Sequence, residues 1–460
     1  MIRVFNHYFP RRAIIHMLFD FALILLAVGS AVMARTQQPQ LLLSVLVIGV
    51  LSFAICVFII NTASGLYRQA HNRSLHQSVA RAFLALLLAL PAAYGIFSLT
   101  PASIADTGAI KLAAMIGVAA VLVHRVYAAH AASQTRLRSK VLIFGSGAAA
   151  QLIGKTIRTA DPHADVVGYF PGPNEPNPVV PRSQLLSGDK SLTSTALELN
   201  VDEIVVALTE RRGGSMPLRD LLDCKLHQIR VCDTATYFEK TLGQIKLDYT
   251  YAGWLIFGDG FRQGYLRTIF KRLYDILCAL VLLMLAAPLM LMAALLISLE
   301  STGPVLYRQT RVGRNGKNFN VIKFRSMRAD AEHDGKPRWA TEKDDRVTKV
   351  GSVMRKYRID ELPQLINVLK GEMSLVGPRP ERPFFVDQFT SDIPYYAVRH
   401  SVKPGVTGWA QVRYHYGSSV EDCQEKLQYD LYYVKNHSLF LDLVILFETV
   451  IVVVMGKGAR

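Results

Sequence analysis

Residues 271–299 read KRLYDILCALVLLMLAAPLMLMAALLISL, a stretch apolar enough to enter a lipid bilayer. A helix of about 20 residues crosses the hydrocarbon core. Pro288 interrupts the stretch near its middle and predicts a kinked helix, because proline has no backbone N–H to donate. We predict a re-entrant helix that bends at Pro288, so that the basic residues 300–460 stay on the side where it began. A plain membrane-spanning helix is the alternative, and it would place those residues on the opposite side.

Four other apolar stretches come earlier in the chain, at residues 13–34, 41–60, 79–99 and 109–128. Each approaches the length of about 20 residues that a span requires, so we predict four transmembrane helices within residues 1–135. Basic residues precede the first stretch, lie between the second and third, and follow the fourth. The N-terminus and everything after residue 130 are therefore predicted to face the cytoplasm. No small-residue cleavage site follows the first stretch, so we expect a retained anchor.

The composition predicts several parts, some of them in lipid, since 51% of the 460 residues are hydrophobic. Fifty-two Lys and Arg residues against 36 Asp and Glu give a net charge of +16, which suits nucleic acid, an anionic membrane surface or phosphate-rich substrates. The apolar segments favour the last two, and no nucleic-acid partner is predicted. The five cysteines include no CxxC pair, which argues against a disulfide framework or a cysteine zinc site.

Residues 140–250 have the pattern of a soluble Rossmann-like α/β domain. KVLIFGSGAAA, from Lys140, predicts a strand, a glycine turn and the start of a helix, and VVGYF, VDEIVVAL and IRVCD predict further strands. Gly145 and Gly147 approximate the fingerprint in which backbone amides approach a nucleotide phosphate at a helix N-terminus. The second strand ends without the acidic residue that would hold the ribose of a dinucleotide. We favour a tight structural turn over a nucleotide site, and both interpretations stay open.

The segment RKYRIDELPQLINVLKGEMSLVGPRPERP, residues 355–383, contains two adjacent carboxylates, Asp360 and Glu361. Apolar residues at helical spacing follow them, and Gly371 supplies a stop signal, so the pattern predicts a helix that begins near the pair. Asp360 then occupies the position of an N-cap. One interpretation is therefore a capping carboxylate that contributes about 1 kcal/mol to stability.

Basic residues flank this pair on both sides. They are Arg346, Lys349, Arg355, Lys356, Arg358, Arg379 and Arg382. Such a cluster suits a pyrophosphate, because guanidinium groups pair with phosphate oxygens. An ionised Asp360 can attack phosphorus, and attack on an anion calls for a Mg²⁺ ion shared by carboxylate and diphosphate. We predict that the chemistry centres on this carboxylate pair, with Asp360 as the nucleophile and as a Mg²⁺ ligand; for each cation a solvated surface position is the alternative.

Two more segments bear on the site. FNVIKFRSMR, from Phe319, alternates like a strand and puts Lys323 and Arg325 on one face, from which both are predicted to bind substrate phosphates. Acidic lipid headgroups are the alternative ligands. The apolar stretch 439–455 contains two carboxylates and predicts a helix in a protein core or on a membrane surface.

The stretch from Lys271 to about Lys435 resembles the bacterial polyprenyl-phosphate sugar-1-phosphate transferases, the monotopic phosphoglycosyl transferases that initiate exopolysaccharide, capsule and O-antigen assembly. The matching motifs are Lys271-Arg272 with Asp275 and Pro288, Tyr307-Arg308-Gln309 through Gly316, KFRSM at 323–327, RxxxxDELPQLxNVLKGxMSLVGPRP at 355–380 and KPGVTGWAQV at 403–412. The predicted front end of four membrane helices and a Rossmann-like domain looks like the long form of this family. The opening MIRVFNHYFPRR is similar to members found with exosortase-linked polysaccharide clusters.

The resemblance implies a bacterial inner-membrane enzyme whose cytoplasmic catalytic domain, residues 265–460, works in two covalent steps. Asp360 would attack the β-phosphate of a UDP-sugar, release UMP and hold the sugar phosphate until undecaprenyl phosphate accepts it. Glu361 would help to bind the metal or handle the proton of the lipid phosphate, and Arg355 and Arg379 would bind phosphate. Glucose or galactose phosphate is the family-level expectation for the sugar, and a homodimer is compatible with the long form.

The resemblance also bears on the break at Pro288. Short members of the family break their re-entrant helix at a small residue followed by proline, where this chain has Ala287-Pro288 in place of the more usual serine-proline. Alanine lacks the hydroxyl that would satisfy a freed carbonyl, so we expect the break to be held differently here.

Two other functions stay open from the sequence. A membrane-anchored NAD-dependent nucleotide-sugar epimerase or dehydratase would use the turn at Gly145 and Gly147. It needs a Tyr-x-x-x-Lys pair, however, and Tyr237 and Lys240 have the wrong spacing. A non-catalytic scaffold of polysaccharide export would use the cations only for lipid binding.

Overall fold

The computed structural model describes residues 2–4, 7–9, 11–35, 49–63, 138–160, 164–173, 175, 178–208, 216–261, 264–328, 346–414 and 419–454, together with scattered positions between 83 and 124. These residues belong to two compact units. One comprises residues 8–249 and the other residues 250–460, and the first seven residues are divided between them.

Short strands and apolar helices form the described N-terminal part of the chain. Strands β1 (Ile2–Val4) and β2 (His7–Phe9) precede helix α1 (Arg11–Arg35), and helix α2 (Ser52–Ala63) follows. Buried apolar side chains form one cluster across the two helices. They are Ile24, Val28, Phe53, Ala54 and Val57.

The first two predicted transmembrane stretches correspond to the apolar helical segments Met17–Ser30 and Gly49–Asn61. The second is shorter than a membrane span, whereas the first belongs to α1, whose 25 residues, Arg11–Arg35, are long enough for one. By length and composition together, the described residues contain one helix able to cross a bilayer, Tyr265–Glu300. Residues 41–48 and most of the predicted stretches 79–99 and 109–128 lie outside the described residues. The four-helix front end therefore stays a prediction.

A four-stranded parallel sheet forms the centre of the first unit. Its strands are β3 (Ser139–Phe144), β4 (Ala164–Phe170), β5 (Glu203–Val206) and β6 (Arg230–Asp233), in the order β4-β3-β5-β6. Each strand overlaps one of the four strands predicted from the sequence. Runs of Val, Ile and Leu form these strands because a parallel sheet is usually buried on both faces.

Helices cover this sheet through the alternating side chains of its strands. The helices are α3 (Ala148–Ala160), α4 (Leu192–Glu198), α5 (Leu218–Leu226) and α6 (Thr234–Leu242). Successive residues of a strand point to opposite faces. Accordingly Ile143 joins a core with Ile153 and Phe238, and Leu142 joins a second core with Leu221.

The second unit begins with α7 (Ala252–Phe257) and continues into α8 (Tyr265–Glu300), a helix of 36 residues. Pro288 lies inside α8, and the chain is helical on both sides of it. Only 11% of the most apolar window of α8 is buried, unlike the core helix of a soluble protein. Exposed apolar surface on this scale needs a cover, and lipid supplies one.

An antiparallel hairpin follows α8. Its strands β7 (Leu306–Val312) and β8 (Asn318–Phe324) pair over their whole length, from Leu306 opposite Phe324 to Val312 opposite Asn318. Asn315 and Gly316 turn the chain with φ of 57° and 75°. These left-handed conformations suit asparagine and glycine better than other residues.

The remaining elements complete the second unit. They are α9 (Lys349–Lys356), α10 (Gln364–Lys370), β9 (Ser374–Val376), α11 (Pro383–Asp392), β10 (Gly405–Thr407), α12 (Trp409–Arg413), α13 (Val420–Asn436) and α14 (Leu439–Val454). β9 and β10 pair in parallel. The C-terminal stretch, predicted as a core or membrane-surface helix, buries Leu441, Val444 and Ile445 in this unit as α14. Thr407 and Thr449 join α14 to β10 by a hydroxyl hydrogen bond of 2.7 Å.

Candidate active site

Asp360 and Glu361 lie on a single 3₁₀ turn, Ile359–Glu361, between α9 and α10. The chain enters this turn through Arg358, which has a φ of 55° although it is not glycine. A left-handed residue of this kind costs about 1 kcal/mol or more and is often found at functional sites. Both carboxylate residues are buried, with exposed fractions of 8% and 7%.

The capping interpretation of Asp360 is wrong. Helix α10 begins at Gln364, its N-cap position is Pro363, and no side chain caps it. The apolar spacing predicted an earlier start, but the 3₁₀ turn takes up residues 359–361 and moves Asp360 away from the first amides of α10. Within the described part of the chain, no group donates a hydrogen bond to the Asp360 carboxylate.

Glu361 is the centre of an ion-pair cluster. Its Oε1 lies 2.8 Å from Arg379 Nη2 and 3.1 Å from Lys323 Nζ, and its Oε2 lies 3.5 Å from Arg358 Nη1. Burial acts to raise the pKa of Glu361, but the charges of Arg379, Lys323 and Arg358 outweigh it and hold the pKa well below its usual range. Glu361 is therefore ionised throughout the neutral range.

Asp360 has the opposite electrostatic character. Burial and then repulsion from Glu361 raise the pKa of Asp360 to about 6, against the opposing charges of Lys323, Arg379 and Arg355. Neighbouring carboxylates commonly titrate far apart in this way, and a buried carboxylate with an elevated pKa is a more basic, less solvated nucleophile. Two adjacent residues thus differ in charge state near pH 6 and in the number of their partners.

Secondary structure brings Lys323 and Glu361 together through Asn367 in α10. This fully buried amide accepts a hydrogen bond from Ile322 N at 3.0 Å and donates one to Asn320 O at 2.8 Å. Both partners belong to β8, so α10 is fixed against the strand that carries Lys323. Because a buried amide is unusual unless it is bonded, Asn367 specifies how the strand and helix meet.

Arg379 reaches the site from the proline-rich segment after β9. The buried Arg399 donates a hydrogen bond of 2.9 Å to Arg379 O and forms an ion pair with Asp430 at 2.8 Å. The backbone of Arg379 is therefore held from α13, while its guanidinium is one-third exposed. Arg355, in the last turn of α9, is close enough to lower the pKa of Asp360 by its charge.

Arg325, predicted as a phosphate ligand, donates to backbone carbonyls in this structure, and its role as a phosphate ligand stays a prediction. β8 ends at Phe324, and the buried Arg325 donates hydrogen bonds to Ser301 O at 2.8 Å and Thr302 O at 2.6 Å. These are carbonyls just past the end of α8, where backbone acceptors have no intrahelical partner. Strand alternation placed Arg325 on the same face as Lys323. It does not take into account the unpaired carbonyls after α8, which accept hydrogen bonds from Arg325.

The glycine turn of the first unit has a structural explanation. Gly145 has a φ of 128°, and a Cβ there would lie 2.9 Å from Ala207 O. Gly147 accepts a hydrogen bond from Gln151 N in the first turn of α3. Between the two glycines, Ser146 N and Oγ both donate to the Glu175 carboxylate. An internal anion thus accepts the amide that a nucleotide phosphate would use, which favours the structural interpretation of the turn, while nucleotide binding at Gly145 and Gly147 stays an untested prediction.

Arg358 is a member of the site that the sequence did not assign. It was one of seven flanking cations, and its spacing alone gave no reason to prefer it. Its left-handed backbone turns the side chain back onto Glu361, three residues further along. The usable signal was the combination of a tight turn and an acidic residue at i+3, which sequence periodicity does not capture.

Of the two carboxylates at the site, only one is available to bind a divalent cation. Among the described residues no group of three or more His, Cys, Asp or Glu side chains could hold a metal ion. Mg²⁺, however, commonly binds through one or two carboxylates together with substrate phosphates. The Asp360 carboxylate has free lone pairs and fits that role, whereas Glu361 is already committed to three cations.

Comparison with known proteins places this site in a recognised family. The family model for bacterial sugar transferases matches residues 266–456, from α8 to α14, and so includes the whole carboxylate site. An exopolysaccharide production protein PSS of Rhizobium leguminosarum bv. phaseoli is 41% identical over 196 residues, which are 41% of this chain and 98% of that protein. The chain belongs to the bacterial sugar transferase family.

Longer members of the sugar transferase family are similar over part of their length. A UDP-N-acetylgalactosamine-undecaprenyl-phosphate N-acetylgalactosaminephosphotransferase of Aeromonas hydrophila is 46% identical over 242 residues, 53% of this chain and 56% of the relative. A UDP-glucose:undecaprenyl-phosphate glucose-1-phosphate transferase of Escherichia coli (strain K12) is 44% identical over 193 residues, 42% of this chain and 41% of the relative. The chain thus matches about half the length of these relatives. The family is membrane-associated, in agreement with the exposed apolar surface of α8.

Proposed function

We propose that this protein transfers a sugar 1-phosphate from a UDP-sugar to undecaprenyl phosphate and releases UMP, as the first step of exopolysaccharide or related glycan assembly. The names of the relatives from Aeromonas hydrophila and Escherichia coli give UDP-sugars and undecaprenyl phosphate as their substrates, which supports the reaction class. The observation that carries the proposal is the Asp360 carboxylate, which is buried, has a raised pKa and accepts no hydrogen bond from the described residues. A carboxylate with only a structural role would normally be satisfied by donors.

In the first step an Asp360 oxygen attacks the β-phosphorus of the UDP-sugar. The bond from that phosphorus to the bridging oxygen breaks, UMP leaves with the oxygen, and the sugar phosphate remains on Asp360 as an acyl phosphate. In the second step an oxygen of undecaprenyl phosphate attacks the same phosphorus and frees the carboxylate. In this proposal Arg355 and Arg379 neutralise the diphosphate, since guanidinium groups pair well with phosphate oxygens.

Glu361 has a positioning role in this proposal. Its ion pairs hold Lys323 and Arg379 beside Asp360, and because its pKa lies well below the usual range it is a poor acceptor for a proton. A Mg²⁺ ion would be held by Asp360 together with the donor's diphosphate oxygens, and it would supply the neutralisation of charge between two anions. The predicted second metal ligand, Glu361, would have to give up an ion pair to bind it.

The contacts of α8 support a re-entrant topology. Near its start, Arg272 donates hydrogen bonds to Val368 O and Leu369 O in α10. Near its end, Ala293 and Ile297 pack in one cluster with Phe324 and Met354. Both ends thus contact one unit, whereas no residue between 280 and 292 is buried. We propose that this middle segment enters the membrane and returns, with the break at Ala287-Pro288.

The wider layout belongs to the same proposal. We place four transmembrane helices within 1–135, a Rossmann-like domain at 140–250 and the catalytic domain at 265–460, with both soluble parts on the cytoplasmic side of the inner membrane. The parallel order of β4-β3-β5-β6 supports the second part. A homodimer completes the layout.

A UMP-release assay tests the proposed reaction. Purified full-length protein is given undecaprenyl phosphate, Mg²⁺ and a panel of UDP-sugars, and one or more sugars should yield UMP. Asp360→Asn should lower the rate on the order of a thousandfold or more, as loss of a nucleophile does. Asp387→Asn, a matched change at an exposed position of α11, should leave the rate unchanged.

The intermediate gives a second measurement. Without acceptor lipid, wild-type protein should gain the mass of one sugar phosphate on the peptide that contains Asp360, and Asp360→Asn should gain none. Full UMP release by Asp360→Asn would overturn the assignment of the nucleophile.

A further inference from the structure

The second unit contains a cavity of about 250 Å³ at the start of α8. It lies between α8, β9, the hairpin turn and the segment from α13 to α14. Five cations line it: Arg267, Lys271, Arg272, Arg314 and Lys403. Only two carboxylates do so, and both are paired with Lys271, at 2.8 Å for Asp275 and 3.0 Å for Asp442. The cavity therefore has an excess of three positive charges.

Several donors of these cations have no protein acceptor. Arg267 Nη2 is a buried atom without a hydrogen-bond partner. The side chains of Arg314 and Lys403 form no hydrogen bond or ion pair with any described residue. A buried donor without an acceptor is costly. Together with the unpaired side chains of the half-buried Lys403 and the exposed Arg314, the Arg267 donor indicates a ligand with several acceptor oxygens.

The cations also approach one another closely. A Cβ on Gly371 would lie 3.3 Å from Arg272 Nη2 and 3.5 Å from Lys403 Nζ, so both groups converge on one point. Burial, and then the charge of Arg272, lower the pKa of Lys403. Burial also lowers the pKa of His437, at the cavity wall, to about 4, so that this ring is neutral at pH 7. Like charges gathered in this way are stabilised when an anion binds between them.

This cavity is separate from the Asp360 site. Lys323 marks that site and pairs with Tyr307 near the open end of the hairpin, while Arg314 lies in the hairpin turn. Lys323 is five residues further along β8 than Asn318, the first residue after the turn. In an extended strand, five residues correspond to about 17 Å between these two positions. None of the residues that hold Glu361 lines the cavity.

Exposed apolar side chains lie on the same turns of α8 as the cations that line the cavity. Leu266, Phe270 and Leu273 occupy the same turns of α8 as the cavity's cations, and they are 69%, 59% and 58% exposed. Cationic and apolar side chains that share the turns of one helix are typical of the boundary between acyl chains and headgroups, where phosphates are found.

We propose that this cavity is a second phosphate site, which binds the phosphate group of a membrane lipid headgroup at the base of α8. The same chemistry would accept a free phosphate ion from solution. The site does not depend on the proposed transfer reaction, and its ligand would anchor α8 at the depth of the headgroups.

Binding of two probes to the full-length protein tests the site. Native mass spectrometry measures phosphatidylglycerol titrated into delipidated protein in detergent, and phosphorus NMR measures inorganic phosphate. Diacylglycerol with the same acyl chains is the lipid control without phosphate. The variants Arg314→Gln and Lys403→Gln remove cations without breaking any ion pair among the described residues. Lys317→Gln removes a charge from the same hairpin turn, at an exposed position outside the cavity, and is the matched control.

We expect phosphatidylglycerol to bind wild type and Lys317→Gln alike, and to bind Lys403→Gln and Arg314→Gln at least about tenfold more weakly, as loss of a charged hydrogen bond predicts. Weaker binding of both probes assigns the phosphate group itself, and weaker binding of the lipid alone assigns a headgroup. Equal binding of both probes by wild type and both variants would overturn the site, as would equal binding of diacylglycerol. Unchanged unfolding temperatures for the variants show that folding is not the cause.

Discussion

Asp360 is expected to control the pH dependence of the first chemical step. Only the ionised carboxylate attacks, and its pKa is raised to about 6 by burial and by Glu361. The rate of UMP release in a single turnover without acceptor should therefore fall about tenfold between pH 7 and pH 5. Asp387→Asn should show the same profile. A rate that stays constant over this range would contradict the raised pKa.

The same carboxylate should destabilise the fold at neutral pH. An unfolded chain releases the proton of an aspartate near pH 4, and the folded protein holds it to about pH 6. Between these values the folded state binds more protons, so stability falls as pH rises. Asp360→Asn should raise the free energy of unfolding by about 3 kcal/mol at pH 8, with little difference below pH 4. Thermal unfolding of wild type and variant at both pH values measures this difference. A variant that is no more stable than wild type at pH 8 would contradict the prediction.

Glu361 should have the opposite effect from Asp360 on the free energy of unfolding at neutral pH, and stabilise the fold. Its pKa is below the usual range because Arg379, Lys323 and Arg358 surround it, so its stabilising effect is present above about pH 4 and is lost as pH falls. Glu361→Gln leaves these cations uncompensated and should lower the free energy of unfolding by about 3 kcal/mol at pH 8. Unfolding of both variants in parallel provides the comparison. A stabilised Glu361→Gln protein would show that the cluster is not held by this carboxylate.

The sequence predicted which residues meet at the site better than what each does there. Lys323, Arg355 and Arg379 are separated by up to 56 positions. Strand alternation selected Lys323, and charge together with the family resemblance selected Arg355 and Arg379; in the structure the charges of all three lower the pKa of Asp360. The role of Glu361 as a pairing centre was not predictable, because it depends on a left-handed Arg358 and on the distance between two loops. Such details follow from tertiary packing and not from local pattern.

At the scale of elements, the failures come from where strands and helices end. Alternation extended β8 through Arg325, but the strand stops at Phe324 because the carbonyls beyond α8 need donors. The helical spacing of apolar residues predicted too early a start for α10, because it cannot distinguish a 3₁₀ turn from the first turn of a helix. The strands β3 to β6 were predicted well, since buried parallel strands are continuous apolar runs.

Arg325 should therefore behave as a residue of the hairpin junction. Arg325→Gln removes charged hydrogen bonds to Ser301 O and Thr302 O and should lower the free energy of unfolding by about 2 kcal/mol. Its KM for the UDP-sugar should be unchanged. Arg355→Gln, the matched change beside Asp360, should raise that KM several-fold without a change in unfolding temperature. Steady-state kinetics and thermal unfolding of the two variants separate these roles. If Arg325→Gln raised the KM and left the unfolding temperature unchanged, Arg325 would be a phosphate ligand.

At the scale of the whole molecule, the sequence identified the helix that meets the membrane but not how it is held. Its apolar composition is visible from the residues alone. The contacts that fix its two ends, Arg272 on α10 and Ile297 against Met354, join positions far apart in the chain. Neither contact has a signature in the hydropathy of 271–299. Because both ends of α8 contact one unit, we propose that the segment between them enters the membrane and turns back at Pro288.

Accessibility of two introduced cysteines tests this topology. Arg219 is exposed in α5, ahead of α8, and Lys317 is exposed in the hairpin turn after it. Among the described residues, α8 is the only helix between these two positions that is able to cross a bilayer. If α8 re-enters, Arg219→Cys and Lys317→Cys must lie on the same side. If it spans, they must lie on opposite sides.

An impermeant maleimide applied to intact cells and to inverted membrane vesicles gives the measurement. Both variants should react only in inverted vesicles, where the cytoplasmic face is outward. The unmodified protein, whose described cysteines are buried or half-buried, supplies the background. The comparison between the two positions is independent of how the N-terminal helices are arranged, because a change in their number would move both cysteines together. Reaction of Lys317→Cys in intact cells, with Arg219→Cys protected, would show that α8 spans the membrane and would leave the Asp360 site on the side that lacks nucleotide sugars.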